Sequence, residues 1–121
     1  MKSFTSLEQS KKLAEILPLE SADMLHCLSF DGDLLSTVPK QYSGSFKHQP
    51  ELTIPCWSLA ALLDILPCNL KLVLAINDYQ GERKERYAIG SVEHNKYDCY
   101  ADNPVDACYE LILKLNELNL L

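Results

Sequence analysis

Apolar residues recur at three- and four-residue spacings in three stretches of the chain, which predicts three helices. The first follows a T-x-x-E capping box formed by Thr5 and Glu8 and ends before Pro18. The second runs from about Trp57 to Leu66, ends at a proline and contains one charged residue, Asp64. Because so apolar a helix is normally covered on most sides, we expect this second helix at the centre of the fold.

The third helix has a defined start in the sequence. It starts with Asn103 as the N-cap and Pro104 at the first helical position, where the missing amide costs nothing. Its apolar stripe consists of Val105, Cys108, Leu111, Ile112, Leu115 and Leu118.

This third helix carries more apolar residues than one stripe needs. Tyr109 and Leu113 flank its polar side, and Leu120 belongs to an apolar end of the sequence. A helix that is apolar on more than one side is either enclosed by its own fold or buried in an oligomer. We therefore expect a homodimer or an apolar partner site here. The alternative is that the loop-like stretch from Pro39 to Pro50 folds over the helix.

Alternating apolar residues predict a first hairpin. Met24 to Phe30 forms its first strand, Asp31-Gly32 its tight turn and Asp33 to Val38 its second strand. In this interpretation Phe30 lies on the same apolar face as Met24, because side chains alternate along a strand.

A second antiparallel segment follows the second helix. Leu70 to Tyr79 alternates as a strand, Gln80 to Glu85 turns the chain, and Arg86 to Val92 returns. Glu93 to Asn95 turns again and leads into a short strand from Lys96 to Tyr100.

These elements predict an α+β fold, an antiparallel sheet of about five strands with three helices. The order is helix, hairpin, helix, three strands and helix. With 121 residues the chain suits one domain, residues 1–121. Because both early helices end in Ile-Leu-Pro, residues 5–38 and 57–92 resemble a helix-hairpin unit used twice.

Charge and hydropathy exclude several classes of partner. The formal net charge of -6 argues against a generic nucleic-acid or anionic-membrane binder, because phosphate neutralisation needs clustered Lys and Arg. The run from Gly81 to Arg86 mixes both signs and is typical of a solvated hairpin tip. No apolar run is long enough to cross a bilayer and the start lacks a signal peptide, so we expect a cytoplasmic protein.

Candidate chemistry is sparse. The sequence contains no C-x-x-C pair, Gly-rich phosphate loop or G-x-S-x-G elbow, so no catalytic, metal or cofactor-binding residue is assigned. His26 is expected to be a buried, hydrogen-bonded histidine. We expect five free thiols, most of them in the core: Cys27, Cys56, Cys68, Cys99 and Cys108.

The second helix also offers a candidate interaction face. Trp57, Ala60, Ala61 and Asp64 share one narrow side of it, with an aromatic ring at one end and a carboxylate at the other. The alternative is that Trp57 is a core anchor. Strand packing or an interface would explain the four tyrosines Tyr79, Tyr87, Tyr97 and Tyr100.

Three segments of the sequence resemble one family. They are Leu7 to Met24 (LEQSKKLAEILPLESADM), Ile54 to Pro67 (IPCWSLAALLDILP) and Ala101 to Cys108 (ADNPVDAC). Together they are similar to a group of small proteins of Bacteroides and related gut bacteria, often encoded near phage or conjugative-element genes. The family has no known activity, so the resemblance transfers no functional residue. It implies a bacterial cytosolic accessory protein of a mobile element.

The leading functional hypothesis is therefore a small non-enzymatic accessory protein that binds a protein partner. The alternative is a small-molecule binder or an enzyme with a scattered polar site, for example a cysteine with His94 or His48. A third is an acidic inhibitor that mimics nucleic acid, although its carboxylates are interleaved with lysines.

Overall fold

The computed structural model describes residues 2–42, 44, 49–67, 70–79, 82–91 and 99–121. Within these residues the fold is α+β, with three α-helices and antiparallel sheets of three strands. The helices are α1 (Leu7–Ala14), α2 (Leu59–Ile65) and α3 (Pro104–Glu117). The strands are β1 (Met24–Leu28), β2 (Leu34–Pro39), β3 (Thr53–Cys56), β4 (Leu70–Tyr79), β5 (Glu82–Ser91) and β6 (Cys99–Ala101).

The chain divides into two compact units. Phe4–Ala61 forms the first unit, and Leu62–Leu121 forms the second together with Met1–Ser3. The division falls inside α2.

The first unit is built around β1, the central strand of a sheet with the order β2-β1-β3. Both neighbours are antiparallel to β1, and His26 lies opposite Thr37 on one side and Ile54 on the other. The segment before α1 also joins β3, because the backbone amide of Thr5 donates to the carbonyl of Trp57 at 2.9 Å. Helix α1 packs against β3.

The second unit contains a sheet with the order β4-β5-β6 and the helix α3, which packs against β5 and β6. As predicted, Asn103 caps α3: its side-chain oxygen accepts from the amide of Asp106 at 2.9 Å. The predicted stripe is buried from Val105 to Leu115, but Leu118 is the C-cap and is 49% exposed. Lys2 forms an ion pair with Asp106 at 2.7 Å.

The prediction of one sheet of about five strands is not confirmed. The described strands form two sheets of three, and the additional strand, β3, occupies Thr53–Cys56, where we expected no strand. This strand is four residues long and includes Pro55, so it has too little alternation to be read as a strand. Its role comes from pairing with β1, which a local pattern does not encode.

The N-terminal cap of α1 also differs from the prediction. Ser6, rather than Thr5, is the N-cap: the amide of Gln9 donates to the Ser6 hydroxyl at 3.2 Å, and the Ser6 amide donates to the Gln9 side chain at 3.0 Å. Glu8 is outside this capping box. The Thr5 hydroxyl instead accepts from the Trp57 amide at 3.2 Å.

Helix α2 is shorter and more exposed than predicted. It begins after Ser58, whose hydroxyl accepts from the amide of Ala61 at 3.2 Å and whose amide donates to Asp23 at 2.9 Å. Leu62 is fully buried, but Leu63 is 40% exposed on the same short helix. The expectation of a helix covered on most sides was therefore wrong, because seven residues make only two turns and one of their faces meets solvent.

The hairpin of β4 and β5 extends further than predicted. Tyr79 pairs with Glu82, so residues 82–85 continue β5 instead of forming a turn. Strand β6 contains the end of the predicted strand Lys96 to Tyr100. The predicted turn Glu93 to Asn95 and residues 96–98 lie outside the described residues.

Candidate protein-binding surface on the first hairpin

The turn between β1 and β2 is a three-residue loop, not the two-residue Asp31-Gly32 turn that we predicted. The amide of Ser29 donates to the carbonyl of Asp33 at 2.8 Å, and the amide of Gly32 donates to the carbonyl of Ser29 at 3.0 Å. Gly32 has a φ of +88°, whereas Asp31 does not have a positive φ. A two-residue type I′ turn would need positive φ at both central residues, so this hairpin uses the wider loop with a left-handed glycine.

This wider loop moves Phe30 out of the first strand. Strand β1 ends at Leu28, and Phe30 becomes the first loop residue with 92% of its surface exposed. Its predicted position on the apolar face beside Met24 was therefore wrong. The signal for the loop was present in the sequence, because one glycine after an aspartate also suits a three-residue hairpin.

Two leucines follow Phe30 at the same end of the hairpin. Leu28 pairs with Leu34, but the next pair along the ladder joins Cys27 to Ser36, so Leu35 is an extra residue in β2. Leu34 is 48% exposed and Leu35 is 61% exposed. We call Phe30, Leu34 and Leu35 the hairpin patch. Single exposed apolar residues are common, but three within six residues of one turn indicate a binding surface.

A buried histidine connects the two strands of this hairpin. His26 is 1% exposed; its Nδ1 lies 2.7 Å from the Thr37 hydroxyl, and its Nε2 lies 2.9 Å from the carbonyl oxygen of Thr5 and 3.1 Å from the Ser10 hydroxyl. A carbonyl oxygen only accepts, so Nε2 carries the proton and the Thr37 hydroxyl donates to Nδ1. Burial lowers the pKa of His26, and hydrogen bonds from its ring to the backbone of Thr5 and Ser6 oppose that effect. The ring is therefore neutral and joins β1 to β2 and to the start of α1.

The hydrogen bonds continue to β3 through Thr5. The Thr5 hydroxyl lies 2.7 Å from the Ser10 hydroxyl, and the thiol of Cys56 donates to the Thr5 carbonyl at 3.5 Å. Burial raises the pKa of the Cys56 thiol, while the hydroxyls of Thr5 and Ser10 lower it. We call Thr5, Ser10, His26, Thr37 and Cys56 the histidine cluster.

The histidine cluster contains residue types used in nucleophilic catalysis, but it is inaccessible. Ser10 and Cys56 have no exposed surface and His26 has 1%. A substrate could not contact either nucleophile, and both pKa shifts favour the neutral forms. The chemistry of the cluster is therefore structural: it fixes the three strands and α1 in one arrangement.

The two outer strands of this sheet both carry a proline. The amide of Lys40 donates to the carbonyl of Asp23, so the alternation of an antiparallel ladder points the Pro39 nitrogen away from β1. Pro55 lies opposite Leu25, and the same alternation points its nitrogen outward. Proline has no amide hydrogen to donate to an added strand. The hairpin therefore presents side chains to a partner more readily than a backbone edge.

The sequence-predicted interaction residues of α2 separate in the structure. Trp57 has no exposed surface, and its indole Nε1 donates to the Ser21 hydroxyl at 3.0 Å. This position matches the core-anchor alternative, so the Trp57 ring is not available to a partner. Asp64 is exposed on α2.

The predicted residues of α3 lie near its exposed side. Tyr109 and Leu113 are half-buried and, being four residues apart, share one helix face. Leu120 is 48% exposed, and its amide donates to the Leu115 carbonyl at 2.9 Å. The amide of Asn119, which has a φ of +57°, donates to Asn116 at 3.1 Å. These two bonds form a Schellman cap, so Leu120 has a role in ending the helix.

The other candidate residues lie partly inside and partly outside the described ranges. Cys27, Cys56 and Cys108 are free thiols, and within the described ranges no three His, Cys, Asp or Glu side chains come together as a metal site. Cys68, His48 and His94 lie outside the described residues. Among the described helices, none has the length and apolar character needed to cross a membrane.

Comparisons with protein families, with curated proteins and with solved structures gave no match to this chain.

Proposed function

We propose that this protein is a binding module that docks onto a protein partner through the hairpin patch. The observation that carries the proposal is the 92% exposure of Phe30, an aromatic side chain held at a hairpin tip. Exposing a phenylalanine forfeits about 1.5–3 kcal/mol of burial, which a partner that encloses the ring would recover. Aromatic residues of this kind dominate the affinity of many interfaces.

The rigidity of the hairpin supports the proposal. The histidine cluster fixes β1 and β2 through the 2.7 Å contact between His26 and Thr37, and the loop is closed by the bonds between Ser29 and Asp33. A surface that is already ordered loses less conformational entropy when it binds. Because Ser10, His26 and Cys56 are buried, binding is favoured over chemistry at the histidine cluster.

The resemblance to proteins encoded near phage or conjugative-element genes gives this proposal its biological setting. In that setting the protein is a cytosolic accessory factor of a mobile element, and its partner is another protein of that element or of the host.

The experiment is site-specific photocrosslinking in the source organism. A photoreactive amino acid replaces Leu35, and a matched control replaces Lys11, which is exposed on α1. We expect an adduct from position 35 that is absent from position 11 and that disappears when F30S is added. Equal adducts at both positions, or none at position 35, would contradict the proposal.

A homodimer at α3 is a second candidate, favoured by the exposure of Leu118, Leu120 and Leu121 at 49%, 48% and 49%. Light scattering at micromolar concentration tests it. Dimers that dissociate when Leu113 and Leu120 become polar would support this candidate. A monomer that is unaffected by those changes would exclude it.

A further inference from the structure

The two charged residues of the segment that carries the hairpin patch are both acidic. Asp31 lies inside the loop next to Phe30, Asp33 immediately precedes Leu34, and both aspartates are exposed. From Leu13 to Pro39 the sequence contains five carboxylates and no lysine or arginine. His26, the one other ionisable side chain in that stretch besides Cys27, is buried and neutral.

Resting on the proposed function, we infer that the partner of the hairpin patch presents an apolar pocket bordered by lysine or arginine side chains. Phe30 and Leu35 enter the pocket, and Asp31 and Asp33 face the basic rim. Complementary charge around an apolar centre raises the association rate and excludes partners of the wrong sign. Two carboxylates beside a phenylalanine therefore favour a partner that has basic residues around its apolar pocket.

The same charges argue against a second copy of this chain as the occupant. Two hairpin patches placed face to face would bring Asp31 and Asp33 of one copy against those of the other. Each chain also carries a formal net charge of -6, so long-range repulsion opposes the approach of two copies. The next cation along the chain, Lys40, donates to the carbonyl of Ala22 at 3.3 Å instead of extending toward the loop.

Strand addition is also disfavoured as the mode of binding. A peptide that extends the sheet beside β2 would meet the extra residue Leu35 at one end and Pro39, which has no amide hydrogen, at the other. The partner therefore recognises side chains, and its basic residues can come from any secondary structure.

The test uses the purified full chain and a phage library of short random peptides. Selection against the wild type follows depletion on the F30S/L35S variant, so that the recovered peptides depend on the hairpin patch. We expect these peptides to combine apolar residues with an excess of Lys and Arg. Circular dichroism checks that the variant is folded, as expected for changes at exposed positions.

Affinity measurements on one selected synthetic peptide separate charge from apolar contact. Replacing both aspartates, D31N/D33N, should weaken binding by about fivefold, since an exposed ion pair contributes up to about 1 kcal/mol. Added salt should weaken binding to the wild type in the same direction. The control E8Q/E15Q removes the same charge from exposed positions on or beside α1 and should leave the affinity unchanged.

Other results of these experiments would contradict either the inference alone or the proposed function as well. Hairpin-dependent peptides without a basic excess, or binding that ignores D31N/D33N, would overturn this inference and leave the proposed function standing. A library without any hairpin-dependent peptide would overturn both. A wild-type dimer in sedimentation that F30S converts to monomer would show that a second copy occupies the patch, and would also overturn the inference.

Discussion

Gly32 adopts a left-handed backbone conformation that an L-amino acid side chain disfavours. With a φ of +88° it lies at the last loop position of the hairpin, and a Cβ atom added there would meet nothing within 4 Å. A substitution at Gly32 is therefore costly because of the backbone conformation, and not because the new side chain would clash with other parts of the protein.

We expect Gly32→Ala to lower the free energy of unfolding by about 1–2 kcal/mol, because alanine pays the full left-handed penalty. Gly32→Asn is the matched control, since asparagine tolerates this region better and should cost less. Urea denaturation measures both. Equal losses for the two variants would contradict the conformational explanation.

His26 makes the first unit sensitive to acid. Its pKa in the folded protein is below the ordinary value of 6.5, chiefly through burial, so the unfolded chain binds a proton more readily than the folded chain does. The free energy of unfolding should therefore be constant with respect to His26 above pH 6.5 and fall as the pH drops below 6.5 toward the folded pKa.

An NMR titration of the His26 ring is the direct measurement. We expect its resonances to remain those of the neutral Nε2–H tautomer at pH values where a histidine in a peptide is half protonated. A midpoint at or above 6.5 would contradict the buried, neutral ring. Thr37→Val removes the hydroxyl that donates to Nδ1. We expect this change to shift the resonances of the His26 ring while the ring stays buried.

At the scale of elements, the sequence at the start of α1 contains two overlapping capping motifs. Ser6 and Gln9 form the observed box, and Thr5 and Glu8 the one that we predicted. We expect Ser6→Ala to cost about 1 kcal/mol, whereas Glu8→Ala should cost a few tenths at most. Chemical denaturation of the two variants decides the matter. A loss at Glu8 as large as that at Ser6 would restore the predicted box.

The C-terminal end of α3 depends on Asn119. Because Asn119 has a φ of +57° in the Schellman cap, Asn119→Gly should raise the free energy of unfolding by about 0.5 kcal/mol, and Asn119→Ala should lower it by about 1 kcal/mol. Thermal unfolding of the pair gives opposite shifts in Tm. Shifts of the same sign would show that the cap does not form.

The capped helices show how much of the fold the sequence predicts. Asn103 and Pro104 were identified from their residue types because the capping bond, from the Asp106 amide to the Asn103 side chain, lies within the first turn of the helix. Thr5 and Ser6 could not be separated, since either hydroxyl can cap and the choice depends on the Trp57 amide, which is distant in sequence. Strand β3 and the exposed half of α2 likewise depend on tertiary partners.

The candidate site was missed for the same reason. Phe30 continues the alternation of β1, so a local pattern places it in the strand, and a one-residue difference in loop length places it in solvent. The predicted residue Trp57 is the reverse case. It resembled an interface aromatic in sequence, and its indole is enclosed and hydrogen-bonded to Ser21.

At the scale of the whole molecule, Cys108 makes stability sensitive to high pH. Burial raises the pKa of its thiol to about 12, above the ordinary value of 9.0. The folded chain therefore keeps a proton that the unfolded chain loses. The contribution to stability is complete below pH 9.0 and disappears as the pH rises toward about 12.

We expect the free energy of unfolding to decline over that alkaline range, and Cys108→Ala to decline less steeply from a lower starting value. Amide hydrogen exchange in α3 reports the change locally. The pKa of Cys56 is also raised, so the free energy of unfolding of the Cys108→Ala variant should still decline with pH, but less steeply. Identical slopes for the two proteins would show that Cys108 ionises freely in the fold.

The outward-facing prolines of the first sheet have a consequence for the protein at high concentration. Cross-β fibrils grow when strands stack through unbroken rows of amide hydrogens, and Pro39 and Pro55 interrupt those rows on the two strands beside β1. Exposed apolar residues beside the edge of a sheet are an aggregation hazard when copies of a protein are crowded together. We therefore expect Pro39 and Pro55 to disfavour the growth of cross-β aggregates from the edges of this sheet.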